Sequence, residues 1–439
     1  MLEVFRKNVY QIIFLLICLI VGMAAATQGA SKPYAGQTVK IITWETATAT
    51  AIQKLIPEFE KETGIKVMFE IYPEPVLREK VMLDLASRSG AYDIFLLDGW
   101  LTAEYAKAGY VIPLDDLLKN NKSEWFCEDF APKYLDALRY DGKLWGLPYY
   151  GHVGILMYRK DLFEKLGLGV PETTDELMTA AAKLTQKPDR YGIAFRAIKG
   201  EDNTIITTSW TWVFGGRWLD EKNMPVVDSP EFIKGVTWIK DILQKYGPPD
   251  VSRYSWVEVE KAFTTGRVGM IFDASDFVGR IEDPKRSQIA GKIGYALAPA
   301  GPNIPRTKRY ASHLFTAGMG INADSRHKEA AWLFLQWMTS SEVQQRTLLE
   351  GNNTGVTSLA VLNSNQFRKA YQGVDVILKA LELANPEYMP HITVYSELCD
   401  IIGTHISAVV AGMEEPADAM KKAKLEMYRA LSRAGLIKR

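Results

Sequence analysis

Between residues 37 and 100 the hydrophobic period switches repeatedly between two and 3.6, so this stretch cannot settle as all-helical or all-β. VKIITW (39–44) reads as a short buried strand, and AIQKLIPEFEKETG (51–64) as an amphipathic helix. That helix carries Ile52, Leu55, Ile56 and Phe59 at i, i+3, i+4 and i+7, and Gly64 stops it. IKVMFEIY (65–72) is β-branched and aromatic, LREKVMLDLASRSG (77–90) is helical, and AYDIFLLDGW (91–100) is a third strand. Strands alternating with helices of this length make βαβ units and a parallel sheet, the mark of an α/β fold.

The alternation continues without internal repeats or low-complexity tracts. VPETTDELMTAAAKLT (170–185), DSPEFIKGVTWIKDILQKYG (228–247), SRHKEAAWLFLQWMTSSEVQQRTLLEG (325–351) and PADAMKKAKLEMYRALSRAG (416–435) read as helices. GRVGMIFDAS (266–275) and AGKIGYALAPAGP (290–302) are strand-like. At 439 residues the chain exceeds one ordinary domain, so two or three units are expected.

Composition excludes several classes. The 52 basic residues balance 52 acidic ones with no basic run, whereas a nucleic-acid binder needs cations to displace phosphate counterions. The basic residues near the C-terminus are interleaved with acids and apolar residues, as on the solvated face of a terminal helix. No phosphate-binding G-x-x-x-x-G-K-[ST], H-E-x-x-H or G-x-S-x-G occurs, and the histidines have no ligand spacing. GMGINA (318–323) fits a dinucleotide fingerprint, but the acid at the right distance, Glu342, falls inside a helix rather than at a strand end. A structural turn is the expected reading. No cofactor, metal or catalytic residue is expected.

The N-terminus carries an export address. Arg6 and Lys7 precede the apolar run IIFLLICLIVGMAAA (12–26), and small residues follow, which makes 1–26 a cleavable signal peptide. Ile17 before Cys18 is not small, so a lipid anchor is not expected there. Cys127 and Cys399 remain in the exported chain, where a disulfide is possible.

At YDGKLWGLPYYGHVGILMYRKDLFEKLG (140–167) the pattern becomes specific. It resembles a segment of the bacterial extracellular solute-binding proteins, in particular the carbohydrate binders that include the maltodextrin-binding proteins. LIPEFEKETGIKV (55–67), YDIFLLDGWLTAEYAKAGYVIPLDDLL (92–118), FTTGRVGMIFDAS (263–275), IGYALAPAGP (293–302) and GMGINADSRHKEAAWLFLQWMTSSEVQQ (318–345) follow the same family in order. The resemblance implies the type II periplasmic-binding-protein fold, two α/β lobes with a ligand cleft between them. Carrying the family's boundaries over gives lobe one as 33–153 plus 271–318 and lobe two as 154–270 plus 319–439. The cysteines would then sit on different lobes, and free thiols are expected.

It further implies a monomeric periplasmic receptor that hands a carbohydrate or polyol to the membrane permease of an ABC importer, with no nucleic-acid partner. Such a site needs aromatic faces for C–H surfaces and planar polar groups for hydroxyls. Candidates follow from position at strand ends. Trp44 and Glu45 end the first strand, and Asp98 and Trp100 end the third, where Asp98 could instead cap a helix. Tyr149, Tyr150 and His152 border the crossing between lobes, with hinge packing as the rival role. Trp210 and Trp212 in TTSWTWVFGG (207–216) alternate onto one side, unless both are core. Trp256 precedes a helix, Asp273 lies nearer its strand end than Asp276, and His313 precedes GMG. Trp332 and Trp337 are expected in the core.

The maltodextrin binders' stacking aromatic falls near Tyr395–Cys399; Cys399 cannot stack, so Tyr395 is the substitute and the expected ligand is a mono- or disaccharide or a sugar alcohol. An oligopeptide is another possible cargo. A polyamine, drawn by Glu45, Asp98 and Asp273, or an iron-type metal ion at Tyr149, Tyr150 and His152, is a further alternative within the same fold. Outside it, a secreted glycoside hydrolase recruiting Glu45 and Asp98 is the rival.

Overall fold

A computed structural model describes residues 32–437 apart from 122, 303–312 and 352. The 1–26 signal segment lies outside the described residues. The elements that place the site are β1 (Thr38–Trp44), α1 (Ala47–Thr63), β2 (Lys66–Tyr72), α2 (Glu74–Ser87), β3 (Ile94–Asp98), β4 (Leu147–Arg159) and β5 (Tyr191–Ala194). They continue with α3 (Glu201–Val213), α4 (Pro230–Tyr246), α5 (Trp256–Thr264), β6 (Val268–Ala274), β7 (Ile293–Ala296) and β8 (Leu314–Ile321). Four helices follow: α6 (Lys328–Thr339), α7 (Ser341–Gly351), α8 (Tyr395–Val410) and α9 (Pro416–Arg433).

Local signals set these elements. Thr46 accepts from Ala49 N at 3.0 Å to start α1, and Gly64 ends it in the left-handed region at φ 76°. Ser255 and Glu258 form a reciprocal capping box at α5. β3, β6 and β8 are buried along their whole length, as strands covered by helices on both faces are. The α1 stripe Ile52, Leu55, Ile56 and Phe59 is buried, and each such side chain contributes about 1.5–3 kcal/mol of burial. Phe59 meets Phe334 at 5.1 Å and Trp337 at 5.2 Å, so these two α6 aromatics are core neighbours of α1.

The 325–351 helix is two helices. Ser340 leaves the helical region at ψ 153°, and its hydroxyl caps Val343 N at 3.3 Å, starting α7. Residues 207–213 are helical rather than extended, despite their Thr and Trp content. The hydroxyls of Thr204, Thr208 and Ser209 bond to carbonyls four residues back, at 3.1, 2.6 and 3.0 Å, so the helix satisfies them internally.

Two half-sheets share one strand. The first runs β2–β1–β3–β8–β4, with β1 parallel to β2 and β3 and with β8 antiparallel to both β3 and β4. In β4, residues 147–153 pair with β8, while 154–158 pair with β6 and 156–159 with β7. β5 adds parallel to β6 and closes the second half. β4 therefore passes from one half to the other between Val153 and Gly154. Gly154 is required there: a Cβ would lie 2.6 Å from His313 Nδ1 and 2.7 Å from Phe272.

The later segments divide differently from the family-derived boundaries. β6 and β7 each pair with β4 in the second half, so residues 271–274 and 293–296 stay there, and β8 is the strand that returns to the first. α6 and α7 pack on the first half, where Arg346 of α7 pairs with Glu58 of α1 at 2.6 Å. α8 packs on α3 in the second half, where Asn203 Nδ2 donates to Gly403 O at 2.8 Å. Cys127 and Cys399 are both free thiols. No helix among the described residues is long and apolar enough to cross a membrane.

Candidate ligand-binding site

The strand crossing collects polar side chains that the core should reject. A bulge does the first part: β8 skips from Ala317–Tyr150 to Gly318–Pro148, leaving Tyr149 as the extra residue on β4. An extra residue re-aims its neighbours. Tyr149 turns toward the hydroxyls of Thr43 and Thr46, and burial pushes its phenol up to about 12. Tyr150 and His152 share the opposite side, their rings 6.2 Å apart. Gly355 lets Tyr150 in, since a Cβ there would lie 2.1 Å from the Tyr150 ring.

Phe315 of β8 is the hub of the apolar wall. Its ring lies 4.7 Å from His152, 5.5 Å from Trp44 and 5.0 Å from Trp100. His313, two residues earlier, meets His152 at 5.5 Å and Tyr388 at 6.3 Å. Tyr150 also touches Trp44, at 5.8 Å. The structure thus brings Trp44, Trp100, Tyr150, His152 and His313 together.

Several polar atoms in this cluster are buried without a hydrogen-bond partner: the indole nitrogens of Trp44 and Trp100, His152 Nδ1, both His313 nitrogens, Thr316 Oγ1, Asp98 Oδ1, Glu201 Oε1 and the Tyr388 hydroxyl. Leaving such a group unsatisfied costs about 1–3 kcal/mol, so their concentration in one place calls for a partner. Burial, with Arg196 and Arg280 nearby, pushes His152 down to about 4 against the pull of Asp276. Burial likewise drives His313 well below its usual range, helped by His152 and Arg196. Both imidazoles are neutral, each offering one donor and one acceptor.

Three arginines organise the carboxylates. Arg78 of α2 pairs with Asp98 at 2.8 Å and with Glu74 and Glu201 at 2.9 Å each. Burial raises the carboxyl of Asp98 against the pull of Arg78, and does the same to Glu201, where Asp98 and Glu74 add to it. Arg196 clasps Asp273, whose oxygens both receive its Nε at 3.0 Å, and also reaches Asp202 at 3.2 Å. Arg280 holds Glu260 at 2.6 Å and Asp276 at 3.2 Å. Burial favours the neutral acid at Asp276, but Arg280, His152, the Tyr150 hydroxyl and Arg196 outweigh it and hold the carboxyl below its ordinary value.

The remaining candidates are placed elsewhere. Glu45 is exposed beyond the end of β1. Asp273 is fully buried and occupied by Arg196 and by Ala274 N at 2.7 Å, so it orients the arginine. Trp210 and Trp212 do not share a face, because two helical residues differ by about 200° around the axis. Trp210 sits among Trp238 (4.6 Å) and Phe272 (5.0 Å), while Arg217 lies 4.0 Å over Trp212 on the outside. Trp256 is partly exposed at the rim, with Arg280 5.7 Å from its ring. Tyr395 lies against Trp100 and Trp218, both at 6.2 Å.

Arg78, Arg196, Glu201, Arg280, Phe315 and Tyr388 were not among the sequence candidates. Two had a signal: Arg196 stands two residues past the β5 run YGIA, and Phe315 near the start of β8 is two residues from His313 just before it. Among the described residues no group of three or more His, Cys, Asp or Glu side chains could hold a metal ion.

Comparison with known proteins follows this geometry. Residues 43–345 match the family model described as bacterial extracellular solute-binding protein. The mannitol-binding protein of Pseudomonas aeruginosa is 28% identical over 422 residues, covering 91% of this chain and 94% of that one. An ABC transporter solute-binding protein of Agrobacterium radiobacter K84, solved in complex with ribitol, superposes with TM-score 0.83 at 29% identity over 90% of this chain and 99% of its own. One from Agrobacterium vitis S4 with bound D-mannitol gives 0.81 at 30% identity, over 91% and 99%.

Proposed function

This chain belongs to the bacterial extracellular solute-binding protein family, and on that premise we propose that it is the periplasmic receptor of an ABC importer for a sugar alcohol or small sugar. The observation that carries the reading is the set of unpartnered buried polar atoms around Phe315 and the two neutral histidines. Every hydroxyl of a polyol both donates and accepts, so it can satisfy indole N–H groups, imidazole nitrogens and a carboxylate oxygen alike. The rings of Trp44, Trp100 and Tyr150 cover the C–H faces. The mannitol and ribitol in the names of the relatives are ligands of this kind.

Arg78–Glu201 and the hydrogen bond from Ser396 N to Glu104 at 3.1 Å join the two halves across the site. We read these as contacts of the closed form, with the halves as lobes hinged at β4. Ligand bridging both lobes favours closure by its differential affinity. Moving the population from 1:99 to 99:1 takes about 5.5 kcal/mol, within the roughly 8 kcal/mol of micromolar binding. No bond is made or broken; the closed receptor, exported through its 1–26 signal, presents the ligand to a membrane permease.

A polyamine is the second reading, favoured by seven carboxylates around three arginines. A thermal-shift screen separates the two. Sugar alcohols should raise the melting temperature, by about 2.7 kcal/mol of stabilisation at one hundred times the dissociation constant. A shift by spermidine or putrescine alone would reject the polyol reading.

A further inference from the structure

Tyr395 was expected to stack on a sugar, yet two indoles already stack against its ring. Trp218 lies with its centroid 6.2 Å away and its plane 6° from parallel. Trp100 lies 6.2 Å away at 28°. Two parallel rings whose centroids are 6.2 Å apart have planes no further apart than that. A sugar held between two rings needs a carbon contact of about 3.5–4.0 Å on each side, or roughly 7–8 Å in all. No sugar ring fits into either gap.

The stack is held in place. The Trp218 indole donates to Thr208 Oγ1 at 2.9 Å, and Trp218 O accepts from Val226 N at 2.9 Å. Tyr395 stands in the first turn of α8. Trp100 continues through Phe315 to His152, so the three rings prolong the wall of the site from the first half into the second.

We infer that Trp100, Tyr395 and Trp218 form an end wall that limits the ligand to one short unit, a pentitol, hexitol or monosaccharide, and bars a second sugar ring. This rests on the polyol reading and sharpens it. The wall is assembled from both lobes, so a ligand long enough to project past Trp100 would hold Tyr395 away and oppose closure. Specificity of this sort comes from a built obstruction rather than an added contact.

The test is calorimetric titration of the full exported chain with D-mannitol, ribitol and maltose. The wild type should bind the better alditol at least about tenfold tighter than maltose. In Tyr395→Ala and Trp218→Ala that ratio should fall by a further factor of about ten, as space for a second ring opens. Wild-type maltose affinity within twofold of the alditol, or an unchanged ratio in folded variants, overturns the wall and leaves the receptor reading standing. Failure to bind any polyol or sugar overturns both. The wild-type ratio needs no variant, so a variant that does not fold leaves the test intact.

Discussion

Two arginines on either side of the site have nearly the same company and different surroundings. Arg196 and its partner Asp273 are sealed, with side-chain exposures of 7% and 0%, and every partner lies in the second half-sheet or its helices. Arg78 is one-third exposed, and its partners Glu74 and Asp98 lie in the first half while Glu201 lies in the second. The first cluster is framework: its geometry does not depend on how the halves sit. The second is completed only when they meet. Burial and position, rather than residue type, separate a structural ion pair from a closing one.

Asp273→Ala should produce the largest effect. It leaves a buried guanidinium with Asp202 alone, and breaking such a pair costs about 3–5 kcal/mol. Urea denaturation should show a correspondingly lower midpoint; a loss under about 1 kcal/mol would erase the distinction between the clusters.

Glu201→Ala should behave oppositely. A partly exposed pair is worth about 0–1 kcal/mol, so global stability should barely move. The closed state loses a lobe-to-lobe contact, and ligand affinity should fall by up to about fivefold, since 1 kcal/mol is roughly that factor. Small-angle scattering of the ligand-free variant should show a larger radius of gyration than wild type. Equal affinity and radius would make Arg78–Glu201 incidental.

The pH dependence follows from the same contrast. Burial raises Glu201 and Asp98 above their ordinary range. When closure buries Glu201, the closed form binds more protons than the open one at pH values above its ordinary value of about 4.3. Affinity should therefore decline as pH rises from about 5 to 8, and Glu201→Gln should flatten the decline. Asp276, held low, titrates in the other sense: its contribution is present above its ordinary pKa of about 3.9 and is lost as pH falls through the lower folded value, outside the tested range. An affinity that climbs with pH contradicts the assignment.

The smallest effect belongs to α3. Trp212→Ala removes an outer cation–π contact worth about 0.5–1 kcal/mol and should leave ligand affinity alone.

How much of this was legible in the sequence depends on range. The crossing at GLPYYGHVGIL was readable because Pro, Gly and paired tyrosines mark a change of character, and the structure puts the change of partner strand between Val153 and Gly154. Trp44, Asp98, Trp100, Tyr150 and His152 end or line strands, so strand-end reasoning reached them. Trp210 and Trp212 were misplaced because Thr-rich helices look extended until their hydroxyls find carbonyls one turn back. Arg78, Glu201 and Tyr388 come from a helix face, a helix start and a late loop. Only tertiary folding brings them together, and no local period announces it. Tyr395 was found by position, but its neighbours Trp100 and Trp218 decide its role.

The central claim is that the buried polar atoms around His152 and His313 receive the hydroxyls of an uncharged ligand. Titration calorimetry of the wild-type chain with D-mannitol, ribitol and spermidine at neutral pH tests it most directly. The account predicts one site per chain with micromolar or tighter affinity for an alditol and no heat from spermidine. A single spermidine site with no alditol binding would contradict it.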